Sequence, residues 1–531
     1  MIVFLVAFGI WPRFLIIPLA ALIAFFVLWT NLETSTSFFI RSIPLFVAIP
    51  FTGYFDSFNI WRIASGLIFL KWFYKSSGGG VGTVFESLRV KNFVPRSLTR
   101  YPVSFLLITF LLTSILSFFV AENLFSGIKR VIYLVNLTLM PIVVYDLIKK
   151  NHAITEKFLR SILISGVIVT GVGLIQLISA YLMPLDAFLD FWGNTVQLGF
   201  YGSQWASIAI EANTWFAYFG DQLSLRIFST FTDSHSFPVY LLMTIPALLA
   251  ISLNKVFTQS NQKQRLIILL PFFYLLAILS GTRGIWLAIL APLLAWPVLA
   301  RFLKQRGDIP GKKILKKLGL LLLPFFILFA AAFPIMGSNQ FWVEKENNQI
   351  LAKRIRSILD LNETSNSGRV EIWKKTISSI IRHPVLGVGI GNFPTVLSQH
   401  TDLAKAGSSA HNLYLHIVAE IGLIGLLAAL GILGIILRRA LMLFTANQPY
   451  THSKIPERSV EGREWVGMAD WHSIKIYSAA FILYSLWILF YCLTDAILFD
   501  ERIFLVFAIN SSIILGLSKS SEIHAKSSGY N

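Results

Sequence analysis

Long apolar stretches alternate with short polar ones along the whole chain. Most of the apolar stretches run for roughly 15–27 residues, about the length that a helix needs to cross a hydrocarbon layer of about 30 Å. The pattern predicts membrane-spanning helices near residues 1–30 (one broken helix or a tight pair around Trp11-Pro12-Arg13), 37–52, 58–74, 102–119, 125–147, 159–182, 232–253, 266–282, 285–300, 318–336, 411–437, 475–498 and 503–517.

The composition supports this interpretation and excludes others. Of the 531 residues, 55% are hydrophobic and only 14% are charged, against about 25% charged residues in an ordinary soluble domain. A soluble enzyme, a disordered chain and a disulfide scaffold are excluded, and the single Cys492 excludes an intramolecular disulfide. We therefore predict an all-α polytopic membrane protein with about 12–14 transmembrane helices and one long extracytoplasmic loop that contains helices. No removable signal peptide is expected at the amino terminus.

The basic residues predict the orientation in the membrane. The net charge is +18, and 28 of the 45 basic residues fall in the segments 71–100, 149–160, 254–265, 301–317, 438–475 and 518–531. These segments share one side, which the positive-inside rule identifies as the cytoplasm. The net positive charge therefore reflects topology, and no nucleic-acid partner is expected. Residues 183–231, the hairpin around Arg283 and residues 337–410 are predicted to lie outside.

This orientation divides the chain into four parts. Residues 1–225 form the N-terminal transmembrane helices, and residues 226–336 form the central transmembrane helices with the Arg283 hairpin. Residues 337–410 form an extracytoplasmic catalytic loop, and residues 411–531 form the C-terminal transmembrane helices and a cytoplasmic tail. A loop as long as 337–410 is usually functional.

The long outer loop contains an amphipathic helix of its own. The helix is predicted to begin at Arg369, with Trp373, Ile377 and Ile380 on one face, and Pro384 ends it. Such a helix can lie on the membrane surface or cover a site within the membrane, and the two interpretations are compatible.

A few polar residues stand where a membrane protein should avoid them. Arg283 lies in a tight hairpin between two apolar spans, and it either reaches lipid phosphate or lines an outward-facing cavity. His411 stands where the long loop re-enters the membrane, and its ordinary pKa suits proton transfer at neutral pH. Glu420 is spaced to pair with His416 on one helix face. Arg226 and His235 flank the outer end of another span, where cavity and structural roles are equally plausible.

Other motifs carry no comparable function. Gly387-Val388-Gly389-Ile390-Gly391 resembles a dinucleotide-binding fingerprint in its glycines, but it lacks the βαβ unit that such a site needs. The sequence also has neither an Asp-x-Asp pair nor a His-x-x-x-His zinc motif, so no metal is expected.

Three segments of the sequence, taken in order, form a recognisable pattern. They are Thr282-Arg283-Gly284-Ile285-Trp286-Leu287, then Gly368-Arg369-Val370-Glu371-Ile372-Trp373 running into His383-Pro384-Val385-Leu386-Gly387-Val388-Gly389, and then Ala410-His411-Asn412-Leu413-Tyr414-Leu415 with Glu420-Ile421-Gly422-Leu423-Ile424-Gly425. Together they resemble the O-antigen ligase and O-antigen polymerase superfamily of bacterial envelope proteins. The resemblance extends over about residues 226–437 and departs from the family's pattern where Asp233-Ser234-His235 replaces the common Pro-Asn.

The resemblance implies metal-independent transfer of a glycan from an undecaprenyl-diphosphate-type carrier, without any cofactor, at the outer face of the bacterial cytoplasmic (inner) membrane. The acceptor would be a sugar hydroxyl on a lipid-linked glycan for a polymerase, or on a glycolipid for a ligase. The family's essential residues correspond to Arg283, Arg369 and His411. Arg226, Asn412 and Tyr414 are predicted to contact the substrate.

These roles are also chemically reasonable. Guanidinium groups bind diphosphate oxygens without a metal, and an imidazole can accept the proton of the acceptor hydroxyl. Two alternatives stay open: a transporter of a small anion such as bicarbonate, and a scaffold for envelope assembly. A transporter predicts discontinuous helices and paired repeats at mid-membrane, whereas the singled-out residues gather at one outer face.

Overall fold

The computed structural model describes residues 1–50, 59–76, 102–203, 206–207, 214–219, 222–253, 265–338, 364–399, 409–446 and 468–527. Residues 77–101, 254–264 and 447–467 of the basic segments, and residues 339–363 and 400–408 of the long loop, lie outside them.

The described chain is almost entirely helical. Its first half contains α1 (Ile2–Ala7), α2 (Ile16–Trp29), α3 (Leu32–Ser42), α4 (Ile60–Ser76), α5 (Pro102–Leu116), α6 (Leu124–Lys150), α7 (Ile154–Leu182), α8 (Leu185–Leu189), a π-helical turn (Asp190–Gln197), α9 (Leu198–Tyr201) and the strands β1 (Phe216–Phe219) and β2 (Gln222–Leu225). The second half contains α10 (Ser236–Ser252), α11 (Leu269–Leu279), α12 (Arg283–Ala288), α13 (Leu290–Gln305), α14 (Ile309–Leu320), α15 (Leu323–Met336), α16 (Thr364–Arg382), α17 (Leu413–Thr445), α18 (Met468–Tyr491) and α19 (Glu501–Ser527).

The helices confirm an all-α polytopic membrane protein. Eight described helical segments are long and apolar enough to cross a membrane, and three shorter apolar helices accompany them, against the 12–14 spans predicted. The eight segments are Pro102–Val120, Leu124–Lys150, Ile154–Leu182, Arg283–Gln305, Ile309–Met336, Leu413–Thr445, Trp471–Tyr491 and Glu501–Ser518. The antiparallel pair β1–β2 was not predicted, and it leads directly into Arg226.

The helix α10 occupies the centre of the bundle. All of its residues are buried, and it packs against α7, α11, α18 and α19. Peripheral helices instead expose apolar side chains such as Leu294 and Val298 of α13. Exposed apolar surface of this kind suits a lipid environment, because lipid solvates apolar side chains while the helix satisfies its own backbone.

Four connections meet at one end of the bundle. The segment before α10 contacts the α11–α12 turn, where Thr282 Oγ1 donates a hydrogen bond of 2.9 Å to the Ser234 carbonyl. The start of α17 contacts the end of α18, where the Leu413 amide donates to the Cys492 carbonyl at 2.9 Å. One end of the bundle is therefore polar, and it is formed by residues 226–235, 280–283, 409–412 and 492–500. The lysine-rich α14 begins at the opposite end of the bundle.

Candidate functional site

Arg226 lies at the centre of the polar end. Its side chain is almost completely buried, and its Nη1 donates hydrogen bonds of 3.1 Å to Ser234 Oγ and to His235 Nε2. Its stem passes over Gly281, where a Cβ atom would lie 3.1 Å from Arg226 Cγ, and Gly281 has a φ of +65° that favours glycine. The hairpin between α11 and α12 thus helps to fix the guanidinium.

His235 links Arg226 to a carboxylate. Its Nδ1 lies 2.9 Å from Asp495 Oδ2 and 3.0 Å from the Tyr491 hydroxyl. Because a guanidinium only donates, His235 Nε2 must accept from Arg226, so the ring proton lies on Nδ1 and is donated to Asp495. Hydrogen bonding thereby assigns the neutral Nδ1–H tautomer to His235.

Asp495 supplies the negative charge of this group. The Tyr491 hydroxyl donates to Asp495 Oδ2 at 2.8 Å, and the Ala496 amide donates to Oδ1 at 2.7 Å. Burial alone would raise the pKa of Asp495, but the hydrogen bond from His235 and the positive charge of Arg369 bring it below its ordinary value. Asp495 is therefore ionised at neutral pH.

The positive charges of Arg283 and Arg369 both affect the buried guanidinium of Arg226. Burial lowers the pKa of Arg226 to about 10, and the positive charges of Arg283 and Arg369 contribute to this lowering. The carboxylate of Asp233 acts on Arg226 in the opposite sense, more weakly. Three arginines from distant parts of the chain thus concentrate positive charge at the polar end.

Arg283 is the first residue of α12, and it follows Thr282, the residue that binds the Ser234 carbonyl. A short turn connects α11, which ends at Leu279, to the segment Arg283–Gln305, which is long and apolar enough to cross a membrane. Arg283 is half-buried.

Arg369 lies on α16, and its position differs from the prediction. The helix begins at Thr364 and not at Arg369, so Arg369 lies in its second turn. The packed face carries Ile372 and Ile380, and Ile377, which was predicted on this face, is 47% exposed. The predicted face was displaced because Trp373 turns toward the loop end, where its Nε1 donates to the Ala410 carbonyl at 2.9 Å. This bond joins α16 to the residue before His411.

His411 is held in an uncommon conformation beside the cations. Its φ is +45°, which few residues other than glycine adopt, and its amide donates to Ser409 Oγ at 3.2 Å. Its Nδ1 is a buried ring nitrogen without a hydrogen-bond partner among the described residues. Burial lowers the pKa of His411 below its ordinary value, and the charge of Arg369 lowers it further, while Asp495 raises it. The imidazole is therefore neutral at pH 7.

Asn412 and Tyr414 hold the start of α17 against the end of α18. Asn412 Oδ1 accepts from the Leu415 amide at 3.0 Å and caps α17, and Asn412 Nδ2 donates to the Leu493 carbonyl at 2.9 Å. The Tyr414 hydroxyl donates to the Leu489 carbonyl at 2.8 Å. These contacts position His411, while contact of Asn412 and Tyr414 with a substrate stays a prediction.

The predicted pair of His416 and Glu420 is present below His411. His416 Nε2 lies 3.3 Å from Glu420 Oε1, and its Nδ1 accepts from the Ala410 amide at 3.3 Å. Glu420 Oε1 also accepts from the Phe393 amide at 3.2 Å, and the Phe393 ring stacks on His416. This buried network fixes Ala410, and with it the backbone on which His411 stands.

The glycine-rich run 387–391 has a structural role. The long helix α17 is broken at Gly422, whose φ is +76°, and the chain after His383 packs into the break. The Val388 and Gly389 amides donate to the carbonyls of Ala419 and Glu420 at 2.8 Å and 3.0 Å. Backbone groups that the break would leave unpaired inside the bundle are thereby satisfied.

Three residues of the site were not predicted from the sequence, or were predicted without their partner. Asp495 and Tyr491 were missed, although a carboxylate at the end of an apolar span is costly and usually has a function. His235 was singled out, but its partner Asp495 lies 260 positions away in the sequence. In the described part of the chain, no group of three or more His, Cys, Asp or Glu residues is arranged to hold a metal ion.

Comparison with known proteins bears on this same part of the chain. No curated protein matches the chain. Residues 266–430 match the family model described as O-antigen ligase. This region contains Arg283, Arg369 and His411, the three residues that the sequence resemblance singled out. The match over residues 266–430 supports the O-antigen ligase and polymerase superfamily for this part of the chain, and with it glycan transfer in general.

Proposed function

We propose that the polar end transfers a glycan from an undecaprenyl-diphosphate-type lipid to a sugar hydroxyl, at the outer face of the bacterial cytoplasmic membrane. One observation carries the proposal: the Arg226–His235–Asp495 group lies beside the start of α17, where His411 stands, and Trp373 of the helix that carries Arg369 bonds to the residue before His411. A base and a group of fixed cations therefore share one site at the end of an apolar bundle.

The donor chemistry matches these groups. The polyprenyl tail stays in lipid, and the diphosphate lies at the interface beside Arg283 and Arg369. As the bond between the anomeric carbon and the diphosphate oxygen breaks, negative charge grows on the diphosphate. Fixed guanidinium groups stabilise that charge, and they bind phosphate oxygens in a bidentate way without a metal.

His411 acts as the base for the acceptor hydroxyl. Its neutral ring accepts the proton of the acceptor hydroxyl while the hydroxyl oxygen forms the new bond to the anomeric carbon. One carbon–oxygen bond forms, one breaks, the proton moves to the imidazole, and the diphosphate leaves with the bonding electrons. General base catalysis of this kind contributes typically about 10²–10⁴-fold to the rate.

The remaining residues position this machinery. Asp495 holds His235, and His235 accepts from Arg226, so the orientation of Arg226 is set from Tyr491 and Asp495 at the end of α18. The helix α16 carries Arg369 and is joined to the Ala410 carbonyl through Trp373, which links the helix of the cation to the residue before the base. Closure of the outer loop over both substrates would exclude water from the glycosyl donor.

The transporter alternative receives less support. A broken helix such as α17 is typical of transporters, but here the break at Gly422 is occupied by the backbone after His383. It therefore does not expose carbonyl groups to a central cavity.

The test uses the purified full-length protein with a lipid-diphosphate-linked repeat unit as donor. Chain growth from this lipid alone identifies a polymerase, and transfer only after addition of a second glycolipid acceptor identifies a ligase. Arg283→Ala and His411→Ala proteins should fold with wild-type thermal stability and lose transfer. Full activity in either variant, or transfer that requires a divalent metal, contradicts the proposal.

A further inference from the structure

The helix α16 presents an exposed apolar surface near its end. Ile377 and Ile381 lie in the last two turns of the helix, and Val385 follows in the turn after it. Ile381 is 75% exposed and Val385 is 59% exposed. Residues four apart lie on the same side of a helix, so these three side chains form one continuous surface, the apolar strip.

A different side of α16 is exposed and polar. Lys375 Nζ lies 3.1 Å from Glu371 Oε1, and Arg382 Nη2 donates to Ser378 Oγ at 3.1 Å. Because successive residues are about 100° apart around a helix, these four residues form a polar strip about a third of a turn from the apolar strip. The remaining side, which includes Ile372, packs against the protein. A helix with separate apolar and polar exposed sides is typical of a membrane surface.

The apolar strip continues onto a membrane-spanning segment. The Leu423 amide donates to the Pro384 carbonyl at 2.9 Å, so Val385 lies beside Leu423, which is exposed. Leu427, one turn further along α17, is exposed as well. Both leucines belong to the segment Leu413–Thr445, which is long and apolar enough to cross a membrane. The apolar strip therefore extends the lipid-facing side of α17.

The chain that follows the apolar strip is held between two further membrane-spanning segments. The Ile390 amide donates to Ser117 Oγ at 2.9 Å, and Asn392 Nδ2 donates to the Asn123 carbonyl at 3.2 Å. These partners lie at the corner between α5 and α6, where Phe119 is 85% exposed. Irregular backbone is tolerated at membrane depth where protein groups satisfy its hydrogen bonds, and these bonds meet that condition.

These observations favour lipid as the occupant of the apolar strip. Leu423 and Phe119, which lie on either side of this stretch along its contacts, belong to segments of membrane-spanning length and expose their side chains. Lys374 is exposed between the apolar and the polar strip, where a lysine can place its stem along apolar chains and its ammonium at the phosphate layer.

We propose that the apolar strip is inserted among the acyl chains of the lipid leaflet at the polar end of the bundle, so that α16 lies along the headgroup layer. The end of α16 then belongs to the membrane, although residues 337–410 were predicted to lie outside it. Insertion also holds Arg369, on the same helix, near the level of lipid phosphates. The insertion does not depend on the proposed glycan transfer, because it follows from the surface of the helix.

The test reports which medium each strip meets. Ile381→Cys and Lys375→Cys proteins are each labelled with bimane and reconstituted at full length in vesicles of phosphatidylethanolamine and phosphatidylglycerol. Cys492 is completely buried and should not react, and the unsubstituted protein measures this background. Bimane fluorescence is then quenched separately by iodide on both sides of the membrane and by lipids that carry a nitroxide on an acyl chain.

The two positions should give opposite results. Bimane at Ile381 should lose most of its fluorescence to the nitroxide lipids and little to iodide, whereas bimane at Lys375 should lose it to iodide. Iodide quenching at Ile381 as strong as at Lys375 would overturn the proposal. Protection of Ile381 from both quenchers would mean that protein covers the strip, and strong lipid quenching at both positions would mean that the whole helix is immersed; either result rejects it.

A second position guards against a variant that does not fold. Val385→Cys lies on the apolar strip outside the helix, and it should show the same preference for the nitroxide lipids as Ile381→Cys. The control Lys375→Cys breaks only an exposed ion pair, which contributes little to stability. Iodide quenching at Val385 would contradict the proposal independently of Ile381.

Discussion

Replacement of Asp495 by asparagine removes one negative charge from the site and keeps the shape of the side chain. The new Oδ1 can still accept from the Ala496 amide. The new amide nitrogen takes the place of Oδ2 and faces two donors, His235 Nδ1 at 2.9 Å and the Tyr491 hydroxyl at 2.8 Å. An amide nitrogen only donates, so at least one of these hydrogen bonds is lost.

The size of the effect follows from these bonds. A hydrogen bond to a charged group is worth about 1.5–3 kcal/mol, and each 1.36 kcal/mol of transition-state stabilisation is tenfold in rate. If the bond to His235 fixes Arg226 for catalysis, Asp495→Asn should lower glycan transfer by about 10- to 150-fold. Tyr491→Phe removes another hydrogen bond to the same charged carboxylate, so transfer should fall by no more than the same factor.

The pH profile distinguishes this role from a merely structural one. The charge of Asp495 raises the pKa of His411, so its removal should lower that pKa and shift the acid limb of the rate profile to lower pH. Initial rates of transfer between pH 5 and 8 measure the shift. Asp500→Asn is the matched control, because the same substitution five residues later should leave the acid limb in place. The reasoning fails if Asp495→Asn keeps transfer within threefold of wild type, or if its acid limb does not move.

Three further predictions concern ionisation and backbone. Burial lowers the pKa of His411, so wild-type transfer should decline only at a pH below the ordinary histidine value of 6.5, as initial rates would show. Gly422→Ala should prevent folding, because a Cβ atom would collide with the Val385 carbonyl. Gly434→Ala in the same helix is the control: its Cβ atom would meet open space, so the substitution should be neutral or stabilise the protein by up to about 1 kcal/mol in thermal unfolding. Burial and the charge of Asp233 raise the pKa of Asp500 to about 6. Between about pH 4 and 6 the folded protein therefore binds a proton that the unfolded protein has lost, so the free energy of unfolding should fall as the pH rises through this range. Asp500→Asn should flatten that fall in thermal unfolding.

The sequence was sufficient for the main outline of the fold, while the roles of the three residues that the family pattern marks stay predictions. Apolar runs of membrane-spanning length predict helices because a lipid environment leaves the backbone few alternatives. The Arg283 hairpin and the His416–Glu420 pair are local in sequence, so spacing alone locates them.

Features that depend on distant contacts could not be predicted. From the sequence, Gly422 is predicted to be a small residue within a continuous apolar helix. The break of α17 at Gly422 depends on the chain after His383, which packs into it. The group formed by Arg226, His235 and Asp495 joins two spans that are far apart in the chain. The face of α16 was displaced because Trp373 donates a hydrogen bond to Ala410, which lies 37 positions later in the sequence.

The central claim is that His411 acts as the base while fixed guanidinium groups carry the diphosphate charge. The most direct measurement compares single-turnover transfer by wild type and His411→Gln, both purified in the presence of EDTA, with a lipid-diphosphate-linked glycan and an acceptor. The account predicts full wild-type transfer in EDTA and a loss of about 10²–10⁴-fold in the variant, with donor binding retained. Transfer by His411→Gln at the wild-type rate, or a wild-type protein silenced by EDTA, would contradict it.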